Sequence, residues 1–238
     1  MPTTWTAVNS KPNFNDGNTK LWSPFEGADG AVAYSDLIAG AYTFLGTAQL
    51  DTAQKANGSA SLLLGGDSDY LTLPTSDSWN LAGGDFTLEC RVRFNAVPVA
   101  VSAMILTRSY GDTTMGWSFF YNTDVKQFSF DYSKTGAAVI ATSATYTAVI
   151  NTWYHIAVTR SSANVRFFVN GTQIGTTINI GTDVIYNNSK PLSIGIDLND
   201  VDSPGTDYLN GWLDEVRISK GVARWTSNFT PSTMWVDV

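Results

Sequence analysis

The acidic pair Asp214–Glu215, in the stretch GWLDEVRIS, is the first place where this sequence could carry out chemistry. Hydrolysis of a glycosidic bond uses two carboxyl groups that flank the bond, one as an acid and one as a nucleophile or base. Alternation of Val216 and Ile218 indicates a β-strand here, and adjacent residues of a strand point to opposite faces. The pattern therefore predicts that Asp214 and Glu215 do not act on one bond. An acidic pair supplied by loops stays open.

The single histidine and the single cysteine offer little for nucleophilic catalysis. His155 lies inside the strand-like run TWYHIAV, where a hydrogen-bonded sheet residue is expected rather than the accessible base of a triad. Cys90 shares its phase with the apolar residues of DFTLECRVRF and is expected in the core. One cysteine excludes a disulfide within the chain and a cysteine-based zinc site. No phosphate-binding loop or dinucleotide fingerprint is present.

Asp214 raises a second question, because it shares a two-residue phase with Trp212, Val216 and Ile218. This phase predicts that all four side chains face the core. A buried carboxylate is costly without a partner. Three partners are open: a cation such as Ca²⁺, an arginine, or backbone N–H groups.

The charge balance excludes several classes of protein. The formal net charge is −7, from 14 Lys plus Arg against 21 Asp plus Glu, and this argues against nucleic-acid or anionic-membrane binding. The sequence contains no run of 18 apolar residues, so no membrane span is predicted. The first residues, MPTTWTAVNSKPNFND, show no basic region followed by an apolar stretch, so synthesis and assembly in a reducing cytoplasm are expected.

From about residue 21 the pattern is that of short strands separated by turns. DFTLECRVRF alternates cleanly, and Asn170–Gly171 between two strand-like runs predicts a hairpin. The sequence therefore predicts an all-β, two-sheet antiparallel sandwich over residues 21–238, with one short helical turn in VARWTSNF. Residues 1–20 have little apolar periodicity and are predicted to be an extended N-terminal arm.

The order of these segments resembles the laminin-G-like (concanavalin A-like) jelly-roll domains, in the form common in bacteriophage virion proteins. The matching segments are FEGADGAVAYSD (25–36), AQLDTAQKANGSASLLLGGDSDYLTLP (48–74), GGDFTLECRVRF (83–94), NTWYHIAVTRSSANVRFFVNGTQIG (151–175) and GWLDEVRISKGVARWTSNFTPST (211–233). The resemblance spans residues 21–235. It implies two curved antiparallel sheets with binding loops on one rim or a binding site on the concave face.

The resemblance also bears on the acids. Laminarinase-type members carry their catalytic acids on one strand as E-x-D-x-E, and no Glu of this chain lies in such a pattern. An enzyme is therefore not expected. First and last strands commonly lie side by side in these sandwiches, which would bring Glu26 or Asp29 near Asp214. The resemblance thus suggests a structural Ca²⁺ on Glu26, Asp29 and Asp214.

The functional expectation is a virion structural protein, either a capsid decoration or a fibre-type component. The N-terminal TWTAVNSKP resembles WTxVxKP segments of phage tail and fibre-type proteins, and the arm would dock on other virion proteins of the capsid or tail. Homo-oligomers are expected from exposed sheet edges and virion symmetry. The alternative is a carbohydrate-binding or host-receptor module for surface glycans. Its candidate stacking platforms are Trp79, Tyr110 and Tyr186.

Overall fold

The computed structural model describes residues 16–36, 38–96, 102–110, 114–200, 203–204 and 207–232. Its strands are, in chain order, β1 (Thr19–Ser23), β2 (Ser35–Asp36), β3 (Gly40–Ala41), β4 (Thr43–Leu45), β5 (Gln49–Asp51), β6 (Ser61–Gly65), β7 (Tyr70–Leu73), β8 (Phe86–Phe94), β9 (Ser102–Arg108), β10 (Trp117–Asn122), β11 (Gln127–Ser133), β12 (Val139–Thr145), β13 (Trp153–Ser161), β14 (Asn164–Val169), β15 (Thr172–Asn179), β16 (Leu192–Ile194), β17 (Leu198–Asp200), β18 (Ser203–Pro204) and β19 (Asn210–Lys220). A 3₁₀ turn spans Asp77–Trp79. Among the described residues, no helix is long and apolar enough to cross a bilayer.

Most of these strands form two large sheets. One is eight-stranded, in the order β15-β14-β13-β8-β19-β6-β5, with β1 also paired to β19. The other is seven-stranded, in the order β12-β11-β10-β9-β16-β7-β4. The ladders are antiparallel throughout, as in β8–β13 and β10–β11. The predicted all-β jelly-roll sandwich is therefore confirmed.

The core lies between the two sheets, where alternate residues of each strand meet. On β8, Phe86, Leu88, Cys90 and Val92 have no exposed surface. Burying a large apolar side chain contributes about 1.5–3 kcal/mol, so this face stabilises the sandwich strongly. Burial also raises the pKa of the Cys90 thiol well above its ordinary value, as expected for a core cysteine.

The turn between β14 and β15 forms as the sequence predicts. Asn170 and Gly171 have φ of 49° and 77°, which is the geometry that a tight primed turn requires at both positions. The Asn170 side chain accepts the backbone N–H of His155 at 2.9 Å. The turn is therefore tied to the neighbouring strand β13.

A β-bulge in β19 changes the phase that the sequence suggests. Asp214 lies opposite Arg91 of β8, but the next paired residue is Arg217, opposite Glu89. Two residues of β19 thus face one of β8, and Glu215 takes a φ of 49°. Bulges of this kind reverse the alternation beyond them.

The bulge overturns two expectations. Trp212 does not face the core: its ring lies on the outer face, 4.7 Å from the guanidinium carbon of Arg93. Asp214 and Glu215 do not diverge to opposite faces either, because Glu215 bonds the outer-face Arg91 at 3.2 Å. Asp214 also accepts backbone N–H groups on the outer face, from Ala56 and Asn57.

Residues 222–232, the C-terminal strap, cross the outer face of the eight-stranded sheet. The carbonyl of Trp225 accepts the Thr159 hydroxyl at 3.0 Å, and the N–H of Phe229 donates to the Gly171 carbonyl at 2.8 Å. The helical turn predicted in VARWTSNF is wrong, because the backbone of this segment bonds the sheet instead of its own preceding turn.

The first and last strands lie side by side, as the resemblance implied. Trp22 pairs with Arg217 and Ser23 with Val216. Residues 1–15 of the predicted arm lie outside the described residues, and for them the arm stays a prediction. Its last residues belong to the sandwich, since β1 begins at Thr19.

Candidate ligand-binding face and the predicted site residues

Asp214 is fully buried on the outer face of the eight-stranded sheet. Its Oδ2 accepts the backbone N–H groups of Ala56 and Asn57 at 2.9 and 3.0 Å. Burial raises the pKa of Asp214 to about 7, because desolvation outweighs these hydrogen bonds and the nearby Glu215 charge adds to it. Of the three partners left open by the sequence, the structure supplies backbone N–H groups.

The other two predicted metal ligands hold the same loop, residues 52–59, from different sides. Glu26 accepts the backbone N–H of Ser59 at 2.6 Å, and Asp29 accepts that of Thr52 at 3.0 Å. Within the described ranges, no three acidic, histidine or cysteine side chains gather as a metal site requires. The calcium site on Glu26, Asp29 and Asp214 stays a prediction that this geometry does not favour.

Trp79 does not provide an exposed stacking platform. Its side chain is 2% exposed. The indole N–H donates to the Pro74 carbonyl at 3.0 Å, and the Trp79 carbonyl accepts the indole N–H of Trp117 at 2.9 Å. Trp79 is therefore a core residue that connects the segment after β7 to Trp117 of β10, and its assignment as an exposed stacking platform is corrected.

Tyr110 and Tyr186 differ in how much of each residue is exposed. Tyr110 is buried in a small cluster with Ile196, Leu198 and Tyr208, here called the satellite cluster. Tyr186 keeps 37% of its surface exposed. Of the three predicted platforms, only Tyr186 is open to a ligand.

A row of small polar side chains crosses the outer face of the seven-stranded sheet, and the sequence analysis missed it. Its members, here called the hydroxyl row, are neighbours in register: Asp131, Ser118, Thr107, Ser193 and Thr72. The Thr107 and Ser118 hydroxyls lie 2.7 Å apart and share a hydrogen bond. The available signal was the polar phase of the aromatic strands, for example Ser118 between Trp117 and Phe119.

The satellite cluster covers one half of this face. Tyr70, which shares the outer phase of β7 with Thr72, packs against the cluster. Thr107 and Ser193 in the middle of the row have no exposed surface. On the other half, five residues of β10, β11 and β12 that keep exposed surface are here called the binding face: Asn122, Gln127, Asp131, Ala141 and Ser143. Ser118, Phe120 and Ser129, which lie among them, are buried.

Asp131 is the acidic group of the binding face. Burial raises its pKa to about 6, outweighing the hydrogen bond from the backbone N–H of Thr142. One carboxylate oxygen, Oδ1, has no hydrogen-bond donor among the described residues. Oδ1 is itself buried, so a ligand reaches it only after the carboxylate turns about its broad, nearly two-fold terminal torsion. A ligand hydroxyl would supply the missing donor.

Glu89, a second buried acid on the eight-stranded sheet, is bonded through both carboxylate oxygens. Glu89 accepts Arg217 Nε at 2.6 Å and lies 3.0 Å from His155 Nε2. Burial opposes its ionisation, but the Arg217 charge and the His155 hydrogen bond outweigh burial and hold the pKa of Glu89 below its ordinary value. Trp225 and Phe229 of the strap each meet His155 edge-on at 5.7 Å. His155 is thus a hydrogen-bonded sheet residue, as predicted.

The family of the chain follows from its sequence. Residues 64–226, more than half of the chain, match the Laminin_G_3 family model, described as the concanavalin A-like lectin/glucanases superfamily. The chain belongs to this family. No curated protein sequence matches it.

Solved structures of binding domains share the fold. The binding domain of Paraclostridial Mosquitocidal Protein 1 is similar with a TM-score of 0.65 at 14% identity, over 87% of this chain and 50% of that one. The binding domain of botulinum neurotoxin DC, solved with rat synaptotagmin II, gives 0.63 at 17% over 87% and 49%. This chain thus spans about half the length of these two toxin domains.

A third similar structure has nearly the same length as this chain. It is Domain 4 of AbnA, a GH43 extracellular arabinanase from Geobacillus stearothermophilus, in complex with arabinotriose. The TM-score is 0.56 at 15% identity, over 87% of this chain and 94% of that one. At these identities the likenesses establish a shared fold. The chain is a lectin-like jelly-roll domain.

Proposed function

We propose that this chain is a non-enzymatic recognition domain that binds neutral glycans on its binding face. The observation that carries the proposal is Asp131, a half-buried carboxylate with one oxygen lacking a donor. An unmet acceptor of this kind costs about 1–3 kcal/mol. Sugar hydroxyls are donors that can satisfy it. Farther along the same face, the Gln127 amide adds a donor and an acceptor, whereas the Asn122 side-chain carbonyl oxygen already accepts two backbone N–H groups.

The same residues argue against hydrolysis. Breaking a glycosidic bond takes two carboxyl groups roughly 5–10 Å apart. The direct neighbours of Asp131 across the sheet are Ser118 and Ala141, which are not acids. Asp214 and Glu215 lie on the other sheet. We therefore propose binding without turnover, in keeping with the similar domain that was solved with arabinotriose.

The charge of the face indicates the glycan class. Its five residues include one acid and neither lysine nor arginine, and the whole chain carries a formal charge of −7. Sialylated or sulfated glycans would be repelled by this charge. Neutral glycans avoid that repulsion, so they are the proposed class.

A glycan array probed with the full chain tests the proposal. Retention of neutral glycans that is lost on Asp131→Ala would support it. Asp124→Ala is the matched control, because Asp124 is exposed in the turn between β10 and β11 and lies outside the binding face. Equal binding by the Asp131→Ala and Asp124→Ala variants would contradict the assignment of the face.

We also propose that a bacteriophage particle displays this domain, with the predicted arm docking it to capsid or tail proteins during assembly in the host cytoplasm. Support comes from the resemblance of the five segments and of TWTAVNSKP to phage virion proteins. Deleting residues 1–15 leaves β1 intact and tests the arm. Loss of the protein from purified particles would support arm docking, and undiminished attachment would contradict it.

A further inference from the structure

The outer edges of the two large sheets are formed by four strands. These are β15 and β5 in the eight-stranded sheet and β12 and β4 in the seven-stranded sheet. β1, which pairs only with β19, adds a fifth free side, where the Trp22 N–H donates to the Asp36 carboxylate. An edge strand exposes unpaired N–H and C=O groups, which can pair with another chain. Proteins that stay apart protect their edges with short strands, bulges, charges or proline.

Three of the four edges are protected in this way. β4 and β5 are each only three residues long. β15 is longer, but its pairing with β14 jumps from Ile174 to Ile178 while β14 advances only from Phe167 to Val165. Three residues of β15 thus bulge out opposite one residue of β14, which breaks the flat edge.

β12 is neither short nor bulged, although Gly175 of β15 packs against Ala144 near its end. Its seven residues pair with β11 without a break, from Thr145 opposite Gln127 to Val139 opposite Ser133. Its sequence, VIATSAT, contains no charge and no proline. No backbone hydrogen bond from another described segment reaches its free side.

The charge distribution favours a second copy of this chain as the partner. Two copies of a protein with a formal charge of −7 repel each other over most of their surfaces. The stretch 135–154, which contains β12, has no Asp, Glu, Lys or Arg. Two copies can therefore approach here without bringing like charges together.

We propose that β12 is a self-association edge, at which the β12 strands of two copies pair antiparallel about a two-fold axis. With the axis at Thr142, Ile140 of one copy lies opposite Ala144 of the other, and Val139 lies opposite Thr145. Ile140 is larger than Ala144, Val139 and Thr145 are similar in size, and no pair contains a charge. The contact is isologous, so it closes at a dimer.

The dimer would join the two seven-stranded sheets into one continuous sheet. Ala141 and Ser143 belong both to β12 and to the binding face. The two binding faces would therefore lie side by side on one surface, which raises avidity for a repeating ligand. The self-association itself does not depend on what the binding face recognises.

Sedimentation velocity of the full chain over a range of concentrations tests this edge. We expect a monomer–dimer equilibrium for the wild type. Thr145→Lys should weaken dimerisation at least about tenfold, because two ammonium groups enter each interface. Thr43→Lys is the matched control: Thr43 is an exposed threonine on β4, the opposite edge of the same sheet, and the same change there should leave the equilibrium unaltered.

Two results would overturn the proposal. One is a wild-type chain that stays monomeric at all concentrations, which would leave β12 to a different partner or to none. The other is equal weakening by Thr145→Lys and Thr43→Lys, which would reflect net charge rather than this edge. Concentration-dependent protection of β12 amides from hydrogen exchange, absent in Thr145→Lys, would confirm the location.

Discussion

The carboxylate of Asp214 accepts the backbone N–H of Asn57 at 3.0 Å and so joins the last strand to a loop 157 residues earlier in the chain. The bulge at Glu215 allows this contact, because it directs the Asp214 side chain to the outer face while Val216 and Ile218 stay in the core. The acid that seemed to point into the core is therefore a clamp for the loop 52–59.

The raised pKa of Asp214 predicts a pH-dependent stability. Its pKa is about 7 in the folded protein against an ordinary value of 3.8. Between these values the folded state keeps a proton that the unfolded chain has lost. The free energy of unfolding therefore falls as pH rises, by up to about 1.4 kcal/mol per pH unit from this group. Asp214→Asn removes the titrating carboxyl group, so the variant does not lose this part of its free energy of unfolding as pH rises.

Calorimetric melts at pH 5, 6, 7 and 8 measure the effect. The Tm of Asp214→Asn minus that of the wild type should increase from pH 5 to pH 7 and level off above it. Asp29→Asn serves as control, since Asp29 bonds the same loop from an exposed position. A difference for Asp214→Asn that decreases with pH would contradict the account.

Glu89 is expected to be essential for stability, because it neutralises a buried arginine. Arg217 is 3% exposed and Glu89 is fully buried. Glu89→Gln leaves the guanidinium without its counter-charge and should cost about 3–5 kcal/mol in urea-induced unfolding. The exposed Glu26→Gln should cost less than about 1 kcal/mol. Similar losses for both variants would show that Glu89 is not needed to neutralise Arg217.

Alanine substitutions at Trp79 and Tyr186 should differ in their effect on stability, because Trp79 lies in the core and Tyr186 lies at the surface. Trp79→Ala removes a buried indole together with its hydrogen bond to Pro74 and should destabilise by about 3–5 kcal/mol. Tyr186→Ala should cost clearly less, about 1 kcal/mol, because 37% of the Tyr186 surface is exposed. A well-folded Trp79→Ala protein with an unchanged urea midpoint would contradict the placement of Trp79 in the core.

The docking of the C-terminal strap can be tested at Gly171. This residue has a positive φ, and an added methyl group would overlap the carbonyl oxygen of Phe229. Gly181 also has a positive φ, but an added methyl group there meets open space. Both Gly→Ala variants carry backbone strain, so the difference between their unfolding free energies isolates the strap. We expect Gly171→Ala to be less stable by at least about 1 kcal/mol; equal losses would mean that the strap does not rest on this turn.

Alternation predicted the fold where strands are regular. β8 alternates without interruption, so the core-facing positions from Phe86 to Phe94 follow from the pattern alone. β19 does not, because the bulge at Glu215 inserts one residue and reverses the phase between Trp212 and Val216. No residue type in DEVR marks a bulge, so the faces of Trp212 and Asp214 could not be assigned from the sequence.

The candidate site was less accessible to sequence reasoning than the fold. Trp79 and Tyr110 stand beside polar turn residues and resemble surface aromatics, but long-range packing buries both. The hydroxyl row draws Asp131, Ser118 and Thr107 from three strands. Its existence depends on register between strands, which local patterns do not specify.

The proposed function is tested most directly by locating a bound glycan. The neutral oligosaccharide retained best on the array would be titrated into the isotopically labelled full chain, with amide chemical shifts and sugar signals followed together by NMR. We predict that the shifts change on β10, β11 and β12 around Asp131 and that the sugar is recovered uncleaved. Shift changes centred on the loop 52–59 or Tyr186, or the appearance of shorter sugars, would contradict a non-enzymatic glycan site on this face.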